Sequence, residues 1–325
     1  MGEFEPILQS QYRPLAPYVD LEPDFFSNFD PKKRKEIVNR EENFYHELTK
    51  PYSLEDKVDQ EMLKFKSFDT TDINVKFYCP KDCPDVSPAV IFIHGGGFIT
   101  CSPETHNYVP EYLAAKARVR CFNIDYRLAP EYPFPTGLED CYAVILEILK
   151  DSKKFNIDEN RIVLCGDSSG GNFVAALTLM ARDRKEFSVF KQVLIYPVTD
   201  LSNTIPSKSA KFFAPDSSDN RMPPYKEWYL PDPKEARNIY VSPVLAKNFK
   251  DLPPALFIQA GCDLLLDDGL IYANCLKNDG VDVDVKVYEG MPHAFILRTY
   301  DETFEALDKI VEFVKQFECR GNTKG

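Results

Sequence analysis

From about residue 89 onward, short apolar runs alternate with stretches whose apolar residues recur every three or four positions. AVIFI (89–93), RCFNIDY (120–126), RIVLCG (161–166), QVLIYP (192–197) and ALFIQAG (255–261) read as buried strands. TGLEDCYAVILEILKDS (136–152), NFVAALTLMARDR (172–184) and DDGLIYANCLKNDG (267–280) read as helices, the last closed by Gly280. VDVDVKVYE (281–289) alternates with period two, which suggests one buried face and a place near a sheet edge. ETFEALDKIVEFVKQFE (302–318) has the spacing of a long amphipathic final helix. Strands alternating with helices predict a mostly parallel sheet covered on both faces.

Two regions fall outside this rhythm. The first 65 residues or so read as helical, with Asp30-Pro31 as a cap followed by proline at the first helical position. Residues 198–250, rich in Pro, Ser, Asp and aromatics, read as an insertion over the sheet and not as a separate domain. The expectation is a single domain over 1–325 with two cap segments, about 1–65 and 198–250. Aromatics such as Phe25, Phe26, Phe212, Phe213, Trp228 and Tyr229 are candidates to shape a binding pocket there.

Charge narrows the function. A net charge of -12 over 325 residues argues against a nucleic-acid partner, which would need a basic footprint. No apolar run reaches the ~18 residues of a membrane span, so no stable membrane anchor is expected. The start, MGEFEPILQS, has neither the basic nor the apolar block of a signal peptide, and Pro6 stands where a myristoylation signal wants Ser or Thr. The run Lys32-Lys33-Arg34-Lys35 reads as a solvated first helical turn. Nine cysteines are scattered, and the close pair Cys79 and Cys83 has no second pair to complete a zinc site. They read as free thiols, and the expected location is cytoplasmic.

The chemistry concentrates in RIVLCGDSSGGNFVAAL, which is strand, tight turn and helix. Ligands bind beyond the carboxyl ends of strands in such sheets. A turn this sharp needs very small residues two before and two after its apex. Ser168 has Gly166 and Gly170 at those places, whereas Ser169 would have Asp167 on one side. Ser168 is therefore the candidate nucleophile, and Ser169 offers its backbone N–H. Of four histidines, His46, His94, His106 and His293, only His293 follows the serine, as the chain order of such a turn requires. Asp263, just past the strand ALFIQAG, is the candidate acid. Asp267 and Asp268 fall toward the next helix and are expected to cap it. The strand AVIFI leads into His94 and then Gly95, Gly96 and Gly97. Gly95 and Gly96, with Ser169, are the expected oxyanion donors. His94 is expected to make a structural hydrogen bond, and His46 and His106 to be ordinary surface or lid residues.

HGGGF, DYRLAPEYPFPTGLEDCY, GDSSGGN, LPPALFIQAGCDLLLDDG and YEGMPHAF, in this order, resemble the hormone-sensitive lipase family of α/β-hydrolases. The resemblance spans about 89 to 317. It implies an eight-stranded mostly parallel sheet flanked by helices, with a helical cap from the N-terminus and the insertion. It also implies a carboxylesterase acting on short- to medium-chain esters, with no cofactor and no metal, through Ser168, Asp263 and His293. Three positions depart from the family: Ser169 replaces Ala, Leu264 replaces Pro and Ala294 replaces Gly. An amidase or deacetylase on the same triad remains an alternative. A non-catalytic receptor of this family would lack the histidine that His293 provides. The expected partner is a small-molecule ester. Members of the family often dimerise through the last strand, and the alternating charges of VDVDVKV leave a homodimer open.

Overall fold

A computed structural model of the chain describes residues 30–213 and 225–316. Phe25 and Phe26 lie outside the described residues, as does the side chain of Phe213. The strands are β1 (Val58–Lys66), β2 (Asp72–Pro80), β3 (Ser87–Ile93), β4 (Arg120–Ile124), β5 (Ile157–Asp167), β6 (Lys191–Ile195), β7 (Ala255–Cys262) and β8 (Val283–Pro292). They form one eight-stranded sheet in the order β1-β2-β4-β3-β5-β6-β7-β8. β1, β2 and β4 pair antiparallel, and everything from β4 to β8 pairs parallel.

The helices are α1 (Arg34–Thr49), α2 (Tyr108–Ala117), α3 (Thr136–Lys150), α4 (Ser169–Arg184), α5 (Lys208–Phe213), α6 (Tyr225–Tyr229), α7 (Leu266–Asn278) and α8 (Asp301–Lys315). Successive side chains of a strand point to opposite faces. Along β3, Ala89, Ile91 and Ile93 accordingly join the core that includes α3, α4 and α7, while Val90 and Phe92 join the core that includes α2 and α8. Two buried faces explain why the central strands are continuous apolar runs. β8 alternates between half-buried and exposed over most of its length, as an edge strand does. α8 buries Thr303, Ala306, Leu307, Ile310, Val311 and Val314, one stripe at three-to-four spacing.

The helical reading of the first 65 residues needs correction. Helix ends by Tyr52, and Val58–Lys66 is the edge strand β1. VDQEMLKFK has few buried positions, because an edge strand paired on one side leaves most side chains in water. That mixed pattern carries no clean period of two. The start of the helical region matches expectation: Asp30 accepts from the Lys32 N–H at 3.0 Å, and Pro31 opens a 3-10 turn.

α1 lies against the chain that follows β3. The Arg34 guanidinium donates to the Ile99 carbonyl at 2.7 Å and pairs with Glu131 at 2.6 Å. Thr100 Oγ1 donates to Glu41 at 3.3 Å, and Ser102 Oγ to Glu42 at 2.6 Å. The segment between β6 and β7 carries α5 and α6. Asp267 and Asp268 stand in the first turn of α7, as expected, and their oxygens also accept from this segment. Asp268 Oδ2 accepts from the N–H groups of Thr199 and Asp200 at 2.9 and 3.0 Å. Asp267 Oδ2 accepts from Ser209 N–H at 3.1 Å. Tyr229 is buried and stacks on Phe98 at 3.9 Å, Trp228 packs on the same core, and Phe212 is exposed.

Candidate active site

β5 ends at Asp167 and α4 starts at Ser169, so Ser168 is the single residue between strand and helix. It takes φ 54° and ψ -119°, a conformation that side chains other than glycine rarely adopt. Its N–H donates to the Ile195 carbonyl of β6 at 2.9 Å, and its carbonyl accepts from Asn172 N–H at 3.0 Å. The turn brings Gly166 and Gly170 so close that a Cβ on Gly166 would meet the Gly170 carbonyl oxygen at 2.6 Å. The steric rule that singled out Ser168 in the sequence is therefore visible as a contact. Ser169 is fully buried, and its Oγ accepts from the Phe98 N–H at 3.3 Å. That hydroxyl points into the protein.

His293 follows directly on β8, and Asp263 directly on β7. Parallel pairing of these strands sets the two residues side by side at one end of the sheet. In the tautomer that satisfies both contacts, His293 Nδ1–H donates to Asp263 Oδ2 at 2.6 Å, and Ser168 Oγ–H donates to His293 Nε2 at 2.9 Å. Burial alone would lower the imidazole pKa. The adjacent Asp263 carboxylate, by charge and hydrogen bond, with a smaller contribution from Asp167, raises it above its ordinary 6.5. Such an imidazole can take the serine proton and return it to a leaving group.

Both departures at the acid and base loops have a structural account. Leu264 does not free its loop: Asp263 Oδ1 accepts from Leu265 N–H at 2.9 Å, and the Leu264 carbonyl accepts from Ser209 Oγ at 3.0 Å. Ala294 sits at φ 61°, the left-handed region in which a glycine is at ease.

The expected donor set needs one correction. The Gly95 N–H donates to Asp167 Oδ1 at 2.8 Å, so it is already taken. A Cβ there would lie 2.7 Å from Asp167 Oδ2, which explains why that position is glycine. Among the described residues, the N–H groups of Gly96, Gly97 and Ser169 have no protein acceptor. Gly96 (φ 111°) and Gly97 (φ 61°) turn the chain sharply there, and the Gly96 carbonyl accepts from Ile99 and Thr100 N–H.

His94 is fully buried, hydrogen-bonds at Nδ1 with the Gly95 carbonyl at 2.8 Å and stacks on Tyr126. Burial pushes its pKa down to about 3, which leaves it neutral and structural. His46 is exposed. His106 is not a surface or lid residue. It is 1% exposed, and its Nε2 lies 3.2 Å from Asp167 Oδ1. Tyr196, to which the sequence assigns no role, is buried with its ring 4.7 Å from His293. No local motif marks His106. Tyr196 could have been found from its place at the carboxyl end of a buried strand. Among the described residues the cysteines are free, no cluster of three or more His, Cys, Asp or Glu could hold a metal, and no helix is long and apolar enough to cross a membrane.

A family model described as alpha/beta hydrolase fold matches residues 90–297, well over half of the chain. The chain belongs to the alpha/beta hydrolase fold family. Within the family it is similar to the esterase LipI of Mycobacterium tuberculosis, 33% identical over 69% of this chain and 71% of that protein. It is also similar to the ethyl acetate hydrolase of Pseudomonas putida, 31% identical over 73% of this chain and 76% of that one. Among solved structures of α/β-hydrolases, the esterase of Pyrobaculum calidifontis superposes with a TM-score of 0.85, at 32% identity, covering 95% of this chain and 98% of that chain.

Proposed function

We propose that this α/β-hydrolase is a carboxylesterase acting on short- to medium-chain carboxylic esters of small molecules, with Ser168 as nucleophile, His293 as general base and acid, and Asp263 as its orienting partner. The observation that carries this reading is the hydrogen-bonded run Asp263–His293–Ser168, with distances of 2.6 and 2.9 Å. Ser168 Oγ attacks the ester carbonyl carbon while His293 Nε2 takes its proton. The carbonyl oxygen becomes an oxyanion, held by the N–H groups of Gly96, Gly97 and Ser169, the last at the positive end of α4. As the C–O bond to the alcohol breaks, His293 gives its proton to the leaving oxygen. Water then attacks the acyl-enzyme, His293 takes a proton from it, and returns that proton to Ser168 as the acid departs.

α1 and the segment between β6 and β7 would form the cap. Contacts of α1 with residues 99–102 and of Tyr229 with Phe98 support that assignment, because both rest on the chain that leaves the glycine turn. The similarity to proteins named esterases favours ester over amide substrates. A panel of nitrophenyl esters of increasing acyl length, run beside matched aryl amides, tests the reading. Turnover of the esters that is lost in Ser168→Ala is expected. Faster turnover of the amides would favour a deacetylase, and turnover that survives Ser168→Ala would overturn the assignment.

A further inference from the structure

Asp167, the residue between Gly166 and Ser168, has a side chain that the reaction above does not use. It is 2% exposed, and a buried carboxylate is costly unless its oxygens are paired. Its partners come from three separate parts of the fold. Oδ1 accepts from the Gly95 N–H at 2.8 Å, at the exit of β3. His106, on the segment leading into α2, places Nε2 3.2 Å from Oδ1 and 3.4 Å from Oδ2. The Tyr196 hydroxyl, just past β6, approaches Oδ2 at 3.4 Å. The other ring nitrogen of His106 is in turn held by Thr105 Oγ1 at 2.7 Å.

The chain positions give this cluster its meaning. Asp167 immediately precedes the proposed nucleophile, and Gly95 immediately precedes Gly96 and Gly97, the proposed oxyanion donors. The charge-assisted hydrogen bond from Gly95 N–H to Asp167 therefore ties the glycine turn to the nucleophile turn, beside the β3–β5 pairing and the Phe98 N–H to Ser169 Oγ contact. We propose that Asp167 and His106 are positioning residues, with Asp167 clamping the glycine turn to the nucleophile turn and His106 locking the orientation of the clamp. This rests on the esterase reading, because the clamp matters only if an oxyanion forms at that turn. Donors aimed in advance at a developing charge are worth far more than donors that must be ordered during the reaction.

The charge of Asp167 is part of the arrangement. Burial would push its carboxyl up, but His106, the Gly95 N–H and His94 outweigh that and hold it below the usual carboxylate range. Among the described residues, the other titratable groups facing it, apart from His293, are Tyr45 of α1, Cys101, Tyr126, Cys165 of β5 and Tyr196, all pushed up by burial and uncharged near neutrality. The ionised Asp167 also helps to raise His293, whose facing groups are Asp263, Asp167 and Tyr196. Removing the charge should therefore move a quantity that bare scaffolding would not.

The test compares Asp167→Asn, Asp167→Ala, His106→Leu and His106→Gln with the native enzyme on one nitrophenyl ester. Asn keeps an oxygen for the Gly95 N–H but loses the charge. Its kcat should fall roughly 10-fold, and that of Asp167→Ala roughly 100-fold, a loss comparable with that of one oxyanion donor, with KM little changed. In Asp167→Asn the acid limb of the kcat/KM profile should also shift to lower pH. A trifluoromethyl ketone, which becomes an oxyanion when the serine adds to it, should bind more weakly in proportion to kcat. Gln, whose amide nitrogen can stand near the place of Nε2, should restore most of what His106→Leu loses. Thermal melts identify any variant that fails to fold. Loss of melting temperature with kcat, acid limb and ketone affinity unchanged in the folded fraction would overturn the proposal. Native enzyme without ester turnover would instead overturn the functional reading on which it rests.

Discussion

Gly166 and Gly170 face each other across the turn that carries Ser168, close enough that a Cβ on the first would sit 2.6 Å from the carbonyl oxygen of the second. Gly166→Ala must therefore push β5 and α4 apart. Overpacking of this kind costs about 1–3 kcal/mol. A lower melting temperature together with loss of ester turnover in the remaining folded protein is expected. Calorimetry and a nitrophenyl ester assay check both, and an unchanged melt would contradict the close approach.

The two serines should respond unequally to alanine. Ser168→Ala removes the oxygen that attacks, and turnover should fall to background. Ser169→Ala keeps its N–H and loses only the oxygen that accepts from Phe98 N–H. A cost of about 1 kcal/mol in stability, the usual worth of one hydrogen bond, with kcat within an order of magnitude of native, is the expected result. Mass spectrometry after fluorophosphonate labelling should place the adduct on Ser168, and an adduct on Ser169 would reverse the assignment.

The base must be neutral to accept a proton, so kcat/KM should fall as pH drops through the pKa of His293. Asp263 raises that pKa, which puts the acid limb above the ordinary 6.5. Asp263→Asn removes the raising charge, so the limb should move to lower pH while kcat drops by roughly 10⁴, the loss known for a triad whose histidine loses its carboxylate. A pH–rate profile of both proteins decides this. A limb that stays in place would remove Asp263 from its proposed role.

α1 carries a pH-dependent contact. Burial pushes Glu41 up to about 7, and Thr100, His106, Arg40 and Cys101 pull it down by less. A carboxyl raised from 4.5 in the unfolded chain to about 7 in the native one contributes stability at low pH that is lost as pH rises through about 7. Glu41→Gln should thus leave the melting temperature nearly unchanged at about pH 4, below the unfolded pKa, and raise it at about pH 8. A rise of roughly 2–4 °C corresponds to 1 kcal/mol in a large domain. Equal destabilisation at both pH values would contradict a buried, costly charge at Glu41.

Several elements of the site are visible in local sequence because their cause is local. The collision that forbids a Cβ at Gly166 is with Gly170, four residues on, so GDSSGG separates Ser168 from Ser169, although a Cβ at Gly170 would meet the distant Ile93 and His94 carbonyls. The central strands are legible because burial on both faces leaves few polar positions, such as Asn123, Gln192 and Gln259. His293 was assigned by chain order. The edge strand β1 was not legible, since single-sided pairing leaves too little burial to impose a period.

Tertiary structure alone decided which of three consecutive glycines is spent on scaffolding. Gly95, Gly96 and Gly97 are chemically identical in the sequence, and only the approach of Asp167 across the β3–β5 pairing commits the Gly95 N–H. The role of His106 is hidden for the same reason: its partner is 61 residues away, and no pattern around Thr105-His106 announces it. Asp267 and Asp268 look like caps for their own helix, yet their oxygens accept from backbone on the far side of a long loop. Sequence determines what a residue can donate, accept or tolerate and which turns the chain can make. Which partner it meets depends on strands brought together by distant packing, and that information lies in no single stretch of the chain.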